Sequence, residues 1–338
     1  MLELLKKLCE IDGVSSFEEN VREFIRKEAE PYADEIFEDV LGNLYVHGSG
    51  AAAKRKLMFA AHMDEVGFII KSITEDGYLK FAAVGGIDAR VIIGKRVRVG
   101  VNRLPGVIGI KAVHLTKPEE RKKTPEINEL YIDVGAKDRE AAGKLTAPGD
   151  YAAFDSGCVE FGDGMLKAKA IDDRIGCAVM LKLLKDGPRV DCWYVFTVQE
   201  EVGLRGAGPA AHRLAPETAI ILEGTTAGDL PGTDEHRRVC APGRGAVIPF
   251  MDGGTLYSPE LYRELTGLAV EKGIAWQTKN VISGGTDAGA VQRSRGGVRS
   301  AAISAAVRYI HSPSSVACIR DFESIYSLAA AYLYQSRL

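Results

Sequence analysis

The chain has 338 residues, 46% of them hydrophobic and 26% charged, with a formal net charge of −3. Those values exclude collagen-like, disordered and coiled-coil chains, and a length beyond one typical core of about 100–200 residues points to two domains or an insertion. The near-neutral balance, with no Lys/Arg stripe interleaved with aromatics, leaves no drive toward a polyanion, so nucleic acid is not expected as a partner.

The opening stretch MLELLKKLCEIDG is too short and too interrupted by Lys and Glu for a signal peptide, and no apolar run approaches the ~18 residues that span a bilayer. A cytoplasmic protein without membrane contact is expected. Two helices come first, the second announced by Ser16 and Glu19 in capping-box spacing and carrying Val21, Phe24, Ile25 and Ala29 on one face. Two strand-like runs, NLYVHG and KLMFAAH, lie within residues 43–62, and the nearly unbroken apolar character of the second predicts a strand buried on both faces.

Over residues 67–167 the pattern changes to short β runs punctuated by glycine (GFIIKSI, YLKFAAV, RVIIGKRVRV, GVIGI, ELYIDVG), with only KDREAAGKL helical. Alternation then resumes: a helix over 174–185, a strand over 192–198, a helix near Pro209, a strand over 218–222, a helix over 259–272 and a last helix from Asp321. The fold class is therefore α/β, a mixed central sheet flanked by helices, built from residues 1–67 and 165–338 around a β-rich inserted domain at 68–164. The six cysteines are scattered singly, without the CxxC pairs of a structural zinc site, and read as reduced, buried fillers.

Four strand-like segments end in acids or histidine: FAAHMDE, LKAKAIDDR, WYVFTVQEE and TAIILEG. Ligands in open α/β sheets gather at such carboxyl ends. In the His62-x-Asp64 pair, alternation puts both side chains on one side, so Asp64 can orient the His62 ring. The adjacent Asp172 and Asp173 have a bland reading as a helix N-cap, and Glu200 and Glu201 one as a solvated turn. Two glutamates entering the glycine-rich VGLRGAG gain nothing from packing, however, and neighbouring carboxylates can divide labour between a metal and a water. Glu223 ends the next strand, and His311 follows an apolar run just before Ser-Pro. Taken together, His62, Asp172, Glu201, Glu223 and His311 can form two metal sites sharing a bridging carboxylate, with the ions about 3.5–4 Å apart.

A competing motif, GAGPAA, fits the dinucleotide fingerprint poorly, because Gly206 lies well past its strand and Glu200 and Glu201 would face a pyrophosphate. HExxH, GxSxG and P-loop patterns are absent from the sequence. The loop GGTDAGAVQ, with Gly284, Gly285, Thr286 and Asp287, is a candidate wall of a substrate pocket, against a plain turn capping a helix. Arg205 and Arg299 are two arginines through which an acidic substrate residue could be read.

The segments GVSSFEE, LGNLY, AHMDEVGF, KAIDDRIG, TVQEEVGLRGA, TTAGDLPG, GGTDAGAVQ and RYIHSP, spread over nearly the whole chain, resemble the glutamyl and deblocking aminopeptidase family, which includes the tetrahedral aminopeptidases and proteins labelled cellulase M-like. The resemblance implies a zinc-peptidase-like catalytic domain and a PDZ-like insertion used for dimer contacts and, through them, for a dodecamer. It implies two divalent ions (Zn or Co, with Mn a third candidate), one held by His62, Asp172 and Glu223 and the other by Asp172, Glu201 and His311. Asp172 would bridge, Glu200 would be the general base, Asp64 would orient His62, and the Asp172–Asp173 peptide would be cis. Short peptides would be the substrates, shortened from a free N-terminus. Glu223 departs from an Asp common among relatives, and Arg299 and Ala306 stand where prolines are common, which puts the pocket shape in doubt. An N-acyl amide hydrolase, a glycan hydrolase or a non-catalytic metal-binding protein are the alternatives.

Overall fold

The computed structural model describes residues 1–50, 52–187 and 190–334, without the side chains of 52–55 and 120. Helices α1 (Leu2–Glu10) and α2 (Glu19–Ala29) precede strands β1 (Glu35–Glu38), β2 (Leu44–Gly48) and β3 (Ala52–His62). Ser16 does not cap α2: its own backbone is left-handed and its N–H donates to Glu18 Oε1, so Glu18 takes the N-cap position. The capping-box expectation fails because Glu18, buried at 2% exposure, is committed to the backbone of Ser16 and of Gln199.

The β-rich insertion closes as a six-stranded barrel in the order β4 (Gly67–Ile73), β5 (Leu79–Val84), β8 (Tyr131–Asp133), β7 (Leu104–Gly109), β6 (Arg96–Val99) and β9 (Tyr151–Phe154). Its own core contains Phe68, Phe81 and Phe154, whose rings meet edge to face. A short helix, α3 (Arg139–Gly143), is all that forms in KDREAAGKL. Strands β10 (Val159–Phe161) and β11 (Met165–Ala168) rejoin the large sheet.

The remaining elements are α4 (Ile171–Lys185), β12 (Val190–Thr197), α5 (Ala207–Leu214), β13 (Thr218–Thr226), β14 (Ala246–Ile248), α6 (Pro259–Glu271), β15 (Trp276–Thr278), α7 (Ala288–Gln292), β16 (Arg299–Arg308), β17 (Ser315–Cys318) and α8 (Ile319–Leu333). The sheet runs β1-β2-β12-β3-β13-β16-β17-β11-β10, parallel across β12, β3, β13 and β16 and antiparallel outside them. The parallel centre explains the apolar run in β3: Leu57, Met58, Phe59, Ala60 and Ala61 are each at most 2% exposed, covered on both faces. Helix α4 is buried almost all round, as a helix inside a protein must be. It packs on β3 and β13 and against α1, α2 and α8. No helix among the described residues is long and apolar enough to cross a membrane.

Register decides what reaches the site. Glu223 pairs with Ser304 and Thr218 with Arg299, so Arg299 stands at the amino end of β16, five residues from the level of Glu223. At ~3.3 Å per residue it lies far from any site at the carboxyl ends, and its side chain faces Glu260 at 3.8 Å. Arg299 therefore cannot read a substrate side chain there.

Candidate metal centre and catalytic site

Strands β3 and β13, the α4 start, the β12–α5 loop and the β16–β17 loop deliver His62, Glu223, Asp172, Glu200 with Glu201, and His311 to one place. β13 continues past Leu222 to Thr226, so Glu223 projects from within the strand rather than from its end. Gly224 beside it is required by close approach: a Cβ there would lie 2.9 Å from the Asp172 Cβ and 3.0 Å from its Cα.

Asp172 stands between the histidines. Its Oδ1 is 3.3 Å from His62 Nε2, and its Oδ2 is 3.6 Å from His311 Nε2. Glu223 Oε1 adds a second oxygen 3.3 Å from His62 Nε2, and Glu201 Oε2 a second one 3.2 Å from His311 Nε2. The Asp172–Asp173 peptide is cis. Asp173, fully buried, turns the other way and accepts N–H groups of His62 and Gly176 at 3.2 and 3.0 Å. Its carboxylate still comes within 4.8 Å of ligand atoms of His62 and Glu223, a neighbour in the cluster that the sequence reading left without a role.

Both imidazoles are held from behind. His62 Nδ1 lies 3.3 Å from Asp64 Oδ1 and 3.1 Å from the Asp64 carbonyl. The Asp64 carboxylate also accepts Ser15 Oγ at 2.7 Å and the N–H groups of Glu200 and Glu201 at 3.0 and 3.2 Å. One buried aspartate thus fixes a ring and the two-glutamate turn together. His311, whose backbone is left-handed, sets its Nδ1 2.8 Å from the Gly86 carbonyl on the loop after β5 of the barrel. A backbone carbonyl carries no side-chain signal, so Gly86 was not legible in the sequence.

The electrostatics call for cations. Burial, then the Asp172 carboxylate, pushes Glu201 up to about 8; burial raises Glu200 well above the carboxylate range; burial, then Asp173, does the same to Glu223. Burial also works against ionised Asp172, but the His311 and His62 rings outweigh it and hold Asp172 far below the usual range. Glu223 Oε2 is buried with no hydrogen-bond partner. Six carboxylates (Asp64, Asp172, Asp173, Glu200, Glu201 and Glu223) against two imidazoles, with Glu223 Oε2 unpartnered, is a costly arrangement unless positive ions complete it. Imidazole and carboxylate together suit divalent transition metals, so the residues present fit such ions.

The loop after β15 behaves differently along its length. Gly284 and Gly285 are exposed, whereas Thr286 and Asp287 are buried. Thr286 Oγ1 meets Tyr257 OH at 3.2 Å, and Asp287 accepts Thr197 Oγ1 at 2.5 Å at the end of β12. Arg205 is exposed on the loop before α5.

An open α/β sheet with an acid-rich imidazole cluster at the carboxyl ends of its parallel strands defines a metallohydrolase. The chain belongs to the M42 glutamyl aminopeptidase family, whose sequence model matches residues 42–328. It is 40% identical over 330 residues, covering 97% of each chain, to a putative aminopeptidase of Acetivibrio thermocellus. To the lysyl aminopeptidase of Pyrococcus furiosus it is 32% identical, covering 98% of this chain and 96% of that one. The solved TET1 peptidase of Pyrococcus horikoshii, described as assembling into a tetrahedron or a large octahedral shell, superposes with a TM-score of 0.88 at 34% identity over 99% of both chains. The protein is a divalent-metal-dependent aminopeptidase, a hydrolase acting on peptide bonds.

Proposed function

We propose that two divalent ions are held here, one by His62, Asp172 and Glu223 and the other by Asp172, Glu201 and His311, and that Glu200 is the general base. The observation that carries this reading is the division of Asp172, one oxygen turned to each histidine. Zn or Co suits the mixed imidazole and carboxylate set, and Mn is tolerated by so many carboxylates. Such ions, when bound, supply Lewis-acid activation of the attacking water and of the scissile carbonyl. Glu200 takes the proton of that water and returns it to the leaving amine; after burial, the charges that act on it most are those of His62, Asp287, Glu201 and Asp172. Asp64 holds both the His62 ring and the peptide N–H of Glu200, so ring and base keep a fixed relation.

The substrates are short peptides with a free N-terminus, and the exposed Gly284–Gly285 edge borders the first-residue pocket. Thr286 and Asp287 shape that pocket from behind, through Tyr257 and Thr197. The inserted domain, 68–164, whose barrel strands run from Gly67 to Phe154, makes dimer contacts that build a homo-oligomer, a dodecamer by analogy with a solved TET1 structure described as a dodecamer. Six unpaired cysteines suit the cytoplasm. The test is chelation followed by addition of Zn, Co or Mn, assayed on an aminoacyl anilide and on an acetyl-blocked peptide. Hydrolysis should vanish and return on the anilide, and the blocked peptide should stay intact; turnover that survives exhaustive chelation refutes the metal reading.

A further inference from the structure

The carboxyl end of α1 is gripped by the segment on either side of Asp172. Lys169 Nζ donates to the Ile11 carbonyl at 3.1 Å, and Arg174 Nη1 donates to the carbonyls of Leu8 and Ile11. Within that turn sits Cys9, fully buried, its Sγ 3.8 Å from the carbonyl of Ala170. Ala170 is left-handed at φ 53° and stands two residues before Asp172.

Cys158 reaches the same helix from just before β10, the edge strand of the sheet. Its Sγ donates to the Lys6 carbonyl at 3.6 Å, and the Lys6–Glu160 ion pair at 2.5 Å ties α1 to β10 on the same face. Lys6 and Cys9 are three residues apart on α1 and so neighbours on one face of the helix, which sets the Cys158 Sγ at the Lys6 carbonyl beside the Cys9 side chain. Cys158 is half-buried between the exposed Gly157 and Val159, so reagents in solvent reach it and not Cys9.

The pair is electrostatically unequal. Burial, then the neighbouring Cys158, pushes the Cys9 thiol well up, whereas the neighbouring Cys9, helped by Lys167 and Lys169, holds Cys158 below the ordinary thiol value. The attacking form of a cysteine is the thiolate, so Cys158 is the nucleophile. Cys177, Cys192, Cys240 and Cys318 are all buried. Burial raises the first three, Cys240 to about 12.

We infer that Cys9 and Cys158 form a redox-modification site, which a low-molecular-weight disulfide oxidises to an intramolecular disulfide with Cys158 attacking and Cys9 resolving. Cys158 Sγ attacks one sulfur of the oxidant, whose S–S bond breaks; the departing thiolate takes up the proton that Cys158 released. Cys9 Sγ then attacks the Cys158 sulfur of this mixed disulfide, and its own proton goes to the second departing thiolate. Two electrons pass from the protein thiols to the oxidant, which leaves as two thiols. Closure withdraws the Cys9 Sγ from the Ala170 carbonyl and so couples the redox state to the segment carrying Asp172. Only that last consequence rests on the metal reading.

The test exposes the metal-loaded full chain to oxidised glutathione, alkylates the remaining thiols after denaturation and maps the peptides by mass. A Cys9–Cys158 linked peptide, with four of the six thiols alkylated and all recovered after dithiothreitol, is expected. Cys9→Ala should stop at a stable glutathione adduct on Cys158, because no resolving thiol remains, and Cys158→Ser should take up none. A different pairing in the wild type, an unmodified Cys158 in Cys9→Ala, or an adduct on Cys9 in Cys158→Ser overturns the inference. The wild-type map and Cys158→Ser, changed at a half-buried position, keep the test decisive if Cys9→Ala folds poorly. The readout is a bond rather than turnover, so failure of the metal reading leaves it intact.

Discussion

Asp64 stands behind His62, its Oδ1 3.3 Å from Nδ1, while the same carboxylate accepts the N–H groups of Glu200 and Glu201. Asp64→Ala removes a ring orienter and frees the glutamate turn at once. Losing such a partner of a liganding histidine typically weakens metal affinity by roughly 10- to 100-fold. Titration with a competing chelator should show that weakening together with a fall in kcat; unchanged affinity would separate Asp64 from the metals.

Glu200→Gln keeps the size of the side chain and removes its basicity. Metal content should stay at the wild-type level while kcat falls by roughly 10²- to 10⁴-fold, as loss of a general base does. Elemental analysis and steady-state kinetics on the same preparation check both halves, and near-normal turnover would assign the proton transfer elsewhere.

Gly224→Ala places a methyl 2.9 Å from the Asp172 Cβ, a contact that neither a strand backbone nor a liganding aspartate can relieve cheaply. We expect a loss of about 1–3 kcal/mol in stability, as for overpacked cores, and a larger loss of metal than of fold. Thermal unfolding and metal content measured together distinguish this from a global defect, in which the two would fall in proportion.

Removing the ions should destabilise the native state, since the buried Glu201 and Glu223 carboxylates then face Asp172 and Asp173 uncompensated. A ligand bound only by the folded form stabilises by RT ln(1 + [L]/Kd), about 2.7 kcal/mol at 100 times Kd. The thermal midpoint should therefore rise with added Zn or Co and fall with chelator, and a midpoint insensitive to both would argue against a formed site.

Away from the metals, burial pushes Asp321, on α8, up to about 6 against N–H donation from Gly243 and Gly245. Between its ordinary value near 3.8 and 6 the native state binds more protons than the unfolded chain, so this residue makes stability fall as pH rises through that window. Asp321→Asn should abolish that slope. Its stability relative to wild type should climb from pH 4 to pH 6 by on the order of 1–3 kcal/mol and then stay level, whatever constant offset the lost acceptor adds. Denaturant unfolding at several pH values reads this directly.

The alternation of helices and strands, the β-rich interruption and the acids at strand ends were legible locally, because side-chain period and glycine spacing report an element without its neighbours. The chain by itself thus determined the α/β frame and the types of side chain at the site. Even so, it misassigned Ser16, whose turn is governed by Glu18, and offered Arg299 as a pocket residue. The parallel register of β13 and β16 puts that arginine at the far end of its strand. Only the tertiary structure decided that one oxygen of Asp172 turns to each histidine, that Gly86 of the barrel holds His311, that Asp287 faces inward to Thr197, and that Cys158 docks on the turn of α1 that carries Cys9. Each is a contact between residues distant in the chain, fixed by strand register, barrel closure and helix packing, to which local propensity carries no signal.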